Sequence, residues 1–342
     1  MQILNFGSLN IDFTYAVDHI ATPGETIAST SLAVNPGGKG LNQSIALARA
    51  GAKVAHAGMV GIDGGFLIDL LRDNGVDVSA VRTSGDVRTG NAIIQTDVHG
   101  ENCIVLYGGA NQAIDETSID EVLAGTQTGD WILLQNEVSG LGHLVEAAHA
   151  RGLRVILNPS PITDDLLALD FSAVDMLILN EVEAAALIGV GRASSPIAQA
   201  SDSTTVSVGA PTKGQADDQS GLIAALRARF ADQTVVLTLG EKGSVYIDAG
   251  GGEAVGGEES AGWDGVLVRQ PAFPVEAVDT TAAGDTFTGY LLAALAAGEV
   301  PATAMRLAAA ASALAVTRPG AAPSIPTRPE VDAFLEQVAS LT

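Results

Sequence analysis

The stretch Pro274-Val-Glu-Ala-Val-Asp-Thr-Thr-Ala-Ala-Gly-Asp-Thr-Phe-Thr-Gly289 decides the fold, because a short strand pattern passes here directly into a helix. Three small residues, Ala282, Ala283 and Gly284, precede Asp285, so the first N–H groups of the helix stay accessible to an anion. A carboxylate at this place repels phosphate, but it is well placed to take a proton from a hydroxyl that attacks a phosphoryl group. The stretch predicts either a phosphotransfer site with Asp285 as base or an ordinary helix N-terminus with a first-turn acid.

Outward from this stretch, strand patterns alternate with helix patterns along the chain. Strands are predicted at residues 2–7, 54–60, 77–82, 131–135, 153–157, 174–179 and 234–239. Helices are predicted at residues 65–74, 141–148, 222–230, 302–317 and 328–341. This alternation predicts a single α/β domain over residues 1–342 with a mostly parallel sheet.

Three segments stand outside that alternation. Residues 89–107 have a hairpin pattern around the turn His99-Gly-Glu101, and together with residues 13–34 they predict a small separate sheet that acts as a lid. Residues 189–220 are rich in Ser, Ala, Thr and Gly and predict a partly disordered surface insertion. Residues 250–262 predict a long exposed hairpin tip between strands at 244–248 and 265–269.

Polar residues follow two of the predicted strands. Asn10 and Asp12 come just after the first strand, and Glu137 comes just after the strand at 131–135. At the carboxyl edge of a parallel sheet such side chains can reach a ligand, although a solvated loop explains the first pair equally well.

Two helix starts carry further candidates. Asn35-Pro-Gly-Gly-Lys-Gly-Leu-Asn-Gln43 is a glycine-rich turn opening a helix, in which Lys39 and Asn42 offer donors to hydroxyls or phosphate; a tight turn before a helix is the alternative. Asn180 and Glu183 favour an N-cap with a capping box, and contacts to metal and phosphate are the alternative.

Composition excludes several function classes. The formal net charge of -23 disfavours nucleic acid and anionic membranes as partners, and the run at 307–316 is too short to span a bilayer. Residues 1–7 do not have the pattern of a signal peptide, and a single cysteine, Cys103, predicts a reducing compartment. The five histidines show no zinc spacing, and Walker A, G-x-G-x-x-G and G-x-S-x-G motifs are absent from the sequence.

Taken together, these pieces resemble the ribokinase/PfkB carbohydrate-kinase family over nearly the whole chain. Two specific motifs carry the resemblance, Gly37-Gly-Lys-Gly-Leu-Asn42 and Asp279-Thr-Thr-Ala-Ala-Gly-Asp285. Further matches, in the family's order, are Gly7-Ser-Leu-Asn-Ile-Asp12, Asn158-Pro-Ser-Pro161, Asn180-x-x-Glu183 and Thr238-Leu-Gly240. Asn91 departs from the family, which usually has an apolar residue there.

The resemblance implies a three-layer αβα sandwich with a mostly parallel central sheet and a small β-sheet lid. It implies a cytoplasmic, ATP-dependent kinase that phosphorylates D-ribose at O5 to give D-ribose 5-phosphate, uses Mg²⁺ and K⁺, and forms a homodimer through the lid. A sister kinase acting on deoxyribose, another sugar or a nucleoside is the alternative, and a non-catalytic sugar-binding protein is the alternative from another class.

The resemblance also assigns residues. It implies Asp285 as the base, with an anion hole at Ala282, Ala283 and Gly284. The sugar would be held by Asn10, Asp12, Gly38, Lys39, Asn42, Glu137 and Asp285. The nucleotide and Mg²⁺ would be served by Asn180, Glu183, Thr238, Gly240, Glu241, Lys242, Gly243 and Gly284. K⁺ would be bound by Asp279, Ser324 and the carbonyls of Thr281, Ala315, Arg318 and Gly320.

Overall fold

The computed structural model describes residues 1–189, 216–249 and 267–340. The strands of these residues are β1 (Ile3–Phe6), β2 (Asn10–Ala16), β3 (Ser31–Gly37), β4 (Val54–Gly61), β5 (Asp77–Ser84), β6 (Gly90–Thr96), β7 (Asn102–Tyr107), β8 (Trp131–Gln135), β9 (Arg154–Asn158), β10 (Met176–Asn180), β11 (Thr234–Thr238), β12 (Ser244–Ile247) and β13 (Leu267–Gln270). The α-helices are α1 (Lys39–Arg49), α2 (Gly65–Asp73), α3 (Glu116–Leu123), α4 (Leu141–Ala150), α5 (Asp164–Leu167), α6 (Glu181–Leu187), α7 (Ala216–Arg229), α8 (Ala283–Ala296), α9 (Pro301–Val316) and α10 (Arg328–Ser340).

The larger sheet is mostly parallel. Its strand order is β13-β12-β11-β10-β9-β8-β1-β4-β5, and every neighbouring pair from β11 to β5 is parallel. β12 and β13 add an antiparallel edge. The strands predicted at residues 244–248 and 265–269 therefore do pair with each other, and Ile247 lies opposite Leu267 in the observed register.

The sheet lies between two helical layers, each with its own apolar core. On β8, Trp131 and Leu133 face the core formed with α1, α2, α8 and α9, whereas Ile132 and Leu134 face the core formed with α3, α4, α6 and α7. Strands buried on both faces need apolar residues at every position, which explains the unbroken apolar runs in the sequence. The predicted three-layer αβα sandwich is confirmed.

The smaller sheet has four strands in the order β3-β2-β6-β7. β2 pairs antiparallel with β3 and parallel with β6, and β6 and β7 form the predicted hairpin. The sheet begins at Asn10, three residues before the predicted start, because β2 and β3 pair down to Asn10 and Gly37. Asn10 and Asp12 therefore follow β1 as predicted, but they lie on a strand, so the alternative of a solvated loop is wrong.

Other predictions need correction or lie outside the described residues. Sequence reasoning missed α3, whose N-cap Asp115 accepts a hydrogen bond from the Ser118 backbone. The predicted insertion at 189–220 ends too late, since α7 begins at Ala216; most of that segment, and the predicted hairpin tip at 250–262, fall outside the described residues. No helix in the described part of the chain is both long and apolar enough to cross a membrane.

Gly289 on α8 permits a close contact between α8 and α1. A Cβ at this position would lie 2.3 Å from the Cβ of Ala46 and 2.8 Å from the backbone nitrogen of Leu47. We expect Gly289→Ala to lower the free energy of unfolding by about 1–3 kcal/mol, because overpacking forces the two helices apart. Urea denaturation followed by circular dichroism measures this change.

Gly221→Ala is the matched control. Gly221 is also helical, but a Cβ there meets no described atom within 4 Å, so the substitution should leave stability unchanged or raise it by up to about 1 kcal/mol. Equal stability of the two variants would contradict the tight α1–α8 contact.

Candidate active site

A cavity of about 260 Å³ lies at the carboxyl ends of β9, β10 and β11. It collects residues from five separate parts of the chain. The lining residues are Lys39, Asn158, Ile178, Leu179, Asn180, Glu183, Thr238, Thr280, Ala282, Ala283, Gly284, Asp285 and Thr288. The sequence predictions around Lys39, Asn180, Thr238 and Asp285 therefore converge on one cavity.

One wall of the cavity is the start of α8. Ala282 is the N-cap residue, has a φ of 61° and gives the helix no side-chain cap. Among the described residues it is the one non-glycine residue with positive φ, a conformation that costs an alanine about 1–2 kcal/mol. The Ala283 amide donates weakly to the Thr280 carbonyl at 3.3 Å. Since no side chain caps this helix end, its amides and dipole favour a bound anion here.

The carboxylate of Asp285 is buried and held from both sides. Its Oδ1 accepts from Nε2 of Gln43 at 2.8 Å, and its Oδ2 accepts from Nδ2 of Asn42 at 3.0 Å. The two donors fix the plane of the carboxylate, which lies in the lining of the cavity.

Asn42 was predicted to contact a sugar, and the structure gives its amide nitrogen a different partner, Asp285. The other amide atom, Oδ1, is buried and has no partner among the described residues. That orphan acceptor is the part of Asn42 that remains for a ligand hydroxyl.

Lys39 is the cation of the site. Burial lowers the pKa of its ammonium group, but the charges of Asp285, Glu137 and Glu183 outweigh burial and hold the pKa above its usual range. Burial is also the main cause that raises the pKa of Glu137, whose carboxylate accepts from the Ser8 hydroxyl and from the Lys39 amide. Lys39 therefore stays protonated among the carboxylates of the site.

Asn10, Asp12 and Gly38 lie where the smaller sheet meets α1. Gly38 is the N-cap of α1 and has a φ of 97°. Oδ1 of Asn10 accepts a hydrogen bond from Nδ2 of Asn111 at 2.8 Å. Asp12 is half-buried over Gly37, where a Cβ would lie only 2.1 Å from its Oδ2. Burial and the nearby charge of Glu137 raise the pKa of Asp12 to about 6.

Asn180 and Glu183 form the capping box that the sequence favoured. The Asn180 side chain accepts a hydrogen bond from the backbone amide of Glu183 at 2.9 Å. The Glu183 carboxylate accepts one from the backbone amide of Asn180 at 2.9 Å. Both residues also line the cavity, so capping does not remove them from the site. Among the described residues, only one of the two carboxylate oxygens of Glu183 accepts a hydrogen bond, so the other can meet a ligand.

The predicted nucleotide residues after β11 lie at the rim. Thr238 ends β11 and lines the cavity, while Gly240, Glu241, Lys242 and Gly243 follow in a tight turn outside the lining. The Lys242 ammonium lies 3.6 Å from the Glu181 carboxylate across the cleft between this turn and α6.

The predicted cation residues come together in part. The Asp279 carboxylate accepts from the Thr281 amide at 2.9 Å, the Thr281 hydroxyl at 2.6 Å and the Gly320 amide at 2.8 Å. Partial burial raises the pKa of Asp279, but these hydrogen bonds outweigh it and the net effect lowers the pKa.

The other predicted cation residues, Ala315, Arg318 and Ser324, form hydrogen bonds with partners other than Asp279. The Ala315 carbonyl accepts from the Arg318 amide, and the Arg318 side chain pairs with Glu330. The Ser324 hydroxyl is buried and donates to the Ala321 carbonyl at 2.8 Å. The loop thus presents carbonyl and carboxylate oxygens, the ligands that hard cations prefer.

Sequence reasoning missed several site residues, namely Gln43, Asn158, Thr280 and Thr288. Two of them had a usable signal. Asn158 is the last residue of β9, at the same edge at which Glu137 follows β8, and Gln43 is a polar residue at a fully buried position of α1.

A larger depression of about 460 Å³ lies at the amino ends of β1, β5 and β8, between the sheet and α3. It contains none of the predicted site residues, and its Arg82 and Asp130 side chains already pair within the chain. The smaller cavity is therefore the candidate active site. No group of three or more His, Cys, Asp or Glu side chains that could hold a metal ion occurs among the described residues.

Comparison with known proteins identifies the family of the chain. The family model of the pfkB family carbohydrate kinases matches residues 2–328. A ribokinase of Haemophilus influenzae is 35% identical over 340 residues, which are 96% of this chain and 97% of that protein.

Two solved structures are similar along almost their whole length. A ribokinase of Cryptococcus neoformans var. grubii in complex with ADP has a TM-score of 0.77 and 31% identity, covering 98% of this chain and 99% of that one. A ribokinase of Arabidopsis thaliana complexed with ribose and ATP has a TM-score of 0.75 and 28% identity, covering 98% of both chains. The chain belongs to the pfkB family of carbohydrate kinases, which are ATP-dependent sugar kinases.

Proposed function

We propose that this member of the pfkB family of carbohydrate kinases transfers the γ-phosphoryl group of ATP to O5 of D-ribose and releases D-ribose 5-phosphate and ADP. The observation that carries the proposal is the placement of Asp285. Its carboxylate is held by two amides at the uncapped start of α8, in a cavity shared with Lys39, Asn180 and Glu183. Relatives that match this chain from end to end are named ribokinases, which supports D-ribose as the acceptor.

The chemistry follows from the geometry of the base and the helix start. In the proposed reaction the Asp285 carboxylate takes the proton of the sugar hydroxyl as that oxygen forms its bond to the γ-phosphorus and the bond to the ADP oxygen breaks. The first amides of α8 stabilise the charge on the transferring group, and Lys39 adds a positive charge beside it.

The sugar would lie between α1 and the smaller sheet. Asn10, Asp12 and Glu137 offer acceptors there, while Lys39, Gly38 and the orphan Oδ1 of Asn42 complete the set. A polyol has both donors and acceptors, so a buried set of this kind rejects analogues that leave one of its members unpaired.

Mg²⁺ and K⁺ are part of the proposal. The free oxygen of Glu183 and the side chain of Asn180 would hold Mg²⁺, which neutralises charge on the nucleotide phosphates when bound. The oxygens of the Asp279 loop would hold K⁺, which offsets the charge of Asp279 beside the start of α8.

The smaller sheet supports a homodimer. It exposes apolar side chains on both of its faces, namely Leu32, Val34, Ile93, Val105 and Tyr107 on one face and Ile104 and Leu106 on the other. Monomers rarely expose so many neighbouring apolar residues, and a second copy of the sheet would cover them. We also propose a cytoplasmic location, since the chain has one cysteine and uses ATP.

Substrate choice is tested by ADP release from Mg-ATP with D-ribose, 2-deoxy-D-ribose, D-fructose and adenosine, each in K⁺ and in tetramethylammonium. We expect kcat/KM for D-ribose to exceed that of the other acceptors by at least about ten-fold, since missing hydroxyls leave buried partners unpaired. We also expect turnover to rise with K⁺. Preference for another acceptor would overturn D-ribose as substrate, and no turnover with any acceptor would favour the non-catalytic alternative.

Asp285→Asn should lower kcat by at least about 100-fold, because the amide cannot take the proton of the attacking hydroxyl. The dissociation constant of D-ribose, measured by calorimetry, should change by no more than a few-fold. Glu116→Gln is the matched control, because Glu116 is an exposed first-turn acid of α3 far from the cavity and should have no effect on kcat. Near-normal turnover by Asp285→Asn would contradict its assignment as base.

Asp12 should make sugar binding dependent on pH. Its pKa of about 6 means that the carboxylate is ionised above that pH and becomes protonated as the pH falls through it. A charged acceptor makes the stronger hydrogen bonds, so the dissociation constant of D-ribose should rise about five-fold between pH 7.5 and pH 5.

Calorimetry across this pH range at constant ionic strength measures the effect. Asp12→Asn should bind D-ribose more weakly and lose the transition near pH 6, while Asp18→Asn, an exposed residue just after β2, should retain it. An unchanged transition in Asp12→Asn would assign it to another group.

A further inference from the structure

A chain of buried amides lies behind the carboxylate of Asp285 and has no part in the sugar and nucleotide contacts described above. Gln43 of α1, Gln135 of β8 and Asn5 of β1 are all fully buried, and Asn158 of β9 is half-buried. Fully buried polar side chains are costly unless their hydrogen bonds are made, so such a cluster needs a reason.

Gln43 is the member that touches the base. Its Nε2 donates to Oδ1 of Asp285 at 2.8 Å and to Oδ1 of Asn158 at 3.0 Å, while its Oε1 accepts from Nε2 of Gln135 at 2.7 Å. Both ends of this amide are therefore engaged.

The direction of the Gln43 amide matters, because its two ends have nearly the same shape and opposite electrostatic effects. With Nε2 toward Asp285 the amide favours the carboxylate, whereas with Oε1 toward it two acceptors would face each other and repel. A lone glutamine beside the base could adopt either direction by rotating about its last side-chain bond.

The network permits one direction only. Nδ2 of Asn158 donates to the Ile178 carbonyl at 2.9 Å, which turns its Oδ1 toward Gln43. Nδ2 of Asn5 donates to the Gly40 carbonyl at 2.8 Å, which turns its Oδ1 toward Gln135, and Nε2 of Gln135 donates to it at 2.9 Å. Backbone carbonyls accept and never donate, so each end of the network requires the same orientation of Gln43.

We propose that Gln43 is a positioning residue of the phosphotransfer reaction, whose amide is held in a single direction by Asn158 and Gln135 so that the base Asp285 always faces a donor. The inference rests on the proposed function, since it needs Asp285 to act as the base. Asn42 supplies the second donor and is also a proposed sugar contact, whereas Gln43 reaches the cavity only through its hydrogen bonds to Asp285 and Asn158.

The test compares Gln43→Glu and Gln43→Leu with the unaltered chain. Gln43→Glu keeps the size of the side chain and its acceptor toward Gln135, but places a carboxylate against Asp285. Gln43→Leu removes the donor without adding charge, and it keeps the test available if the acidic variant does not fold.

We expect kcat at pH 7 to fall by about 10- to 100-fold in Gln43→Glu and by about ten-fold in Gln43→Leu, with KM for D-ribose changing less than about three-fold. Loss of a donor makes the base harder to ionise. The acidic limb of the kcat–pH profile should therefore move to higher pH by at least about one unit, and activity should recover as the pH is raised.

Gln233→Glu is the matched control. Gln233 is also buried, and its Nε2 lies 3.4 Å from the Phe171 carbonyl, but it precedes β11 at the amino edge of the sheet, away from the cavity. This variant should lose stability without any shift of the kcat–pH profile.

Superimposable kcat–pH profiles for the Gln43 variants and the unaltered chain, with only a lower thermal midpoint, would overturn the proposal and leave Gln43 as a packing residue. Failure of the proposed function would give a different experimental result, because Asp285→Asn would then retain turnover. An inactive Asp285→Asn together with Gln43 variants of normal kcat would refute this inference alone.

Discussion

The close contact between α1 and α8 is the constraint on which the site depends. Gly289 lets α8 approach the backbone of α1 at Ala46 and Leu47. One helical turn earlier on each helix, the same two faces bring Asn42 and Gln43 against Asp285. The contact that packs α1 against α8 therefore also positions the two donors of Asp285. A shift of either helix would move these donors away from the carboxylate.

The second feature is the separation of charge within a strongly acidic chain. A net charge of -23 would repel ATP if charge were spread evenly, yet the start of α8 offers amides without a side-chain cap, and Lys39 stays charged among three carboxylates. The carboxylates of Asp12 and Glu137, on the proposed sugar side, are desolvated instead, which raises the pKa of each. The proposed sugar contacts and the start of α8 thus differ in charge, with carboxylates on one side and uncapped amides and Lys39 on the other.

The sequence sufficed to predict the layers of the fold and the main cavity residues, for identifiable physical reasons. Strands such as β8 are apolar at every position because both faces are buried, and the run from Ala282 to Asp285 marks an open helix start. The capping box at Asn180 was likewise readable from spacing alone.

What escaped prediction depends on contacts between residues distant in the chain. Gln43 and Asp285 are 242 positions apart, so nothing local indicates that the amide faces the base. Asp12 looks like a loop residue until β2 is seen to pair with β3, and α3 has a weak apolar pattern that its N-cap completes. The direction of the Asn42 amide is likewise set by its partner, since the two ends of an amide are alike in shape.

The most direct test of the account is the position of the new phosphate on the product. Purified protein would be incubated with D-ribose and Mg-ATP, and the product examined by ³¹P and ¹³C NMR. The account predicts a single phosphomonoester at O5, because Asp285 lies at the start of α8 and the proposed reaction brings one sugar hydroxyl against it. A phosphate at O1, or free phosphate without any sugar ester, would contradict it.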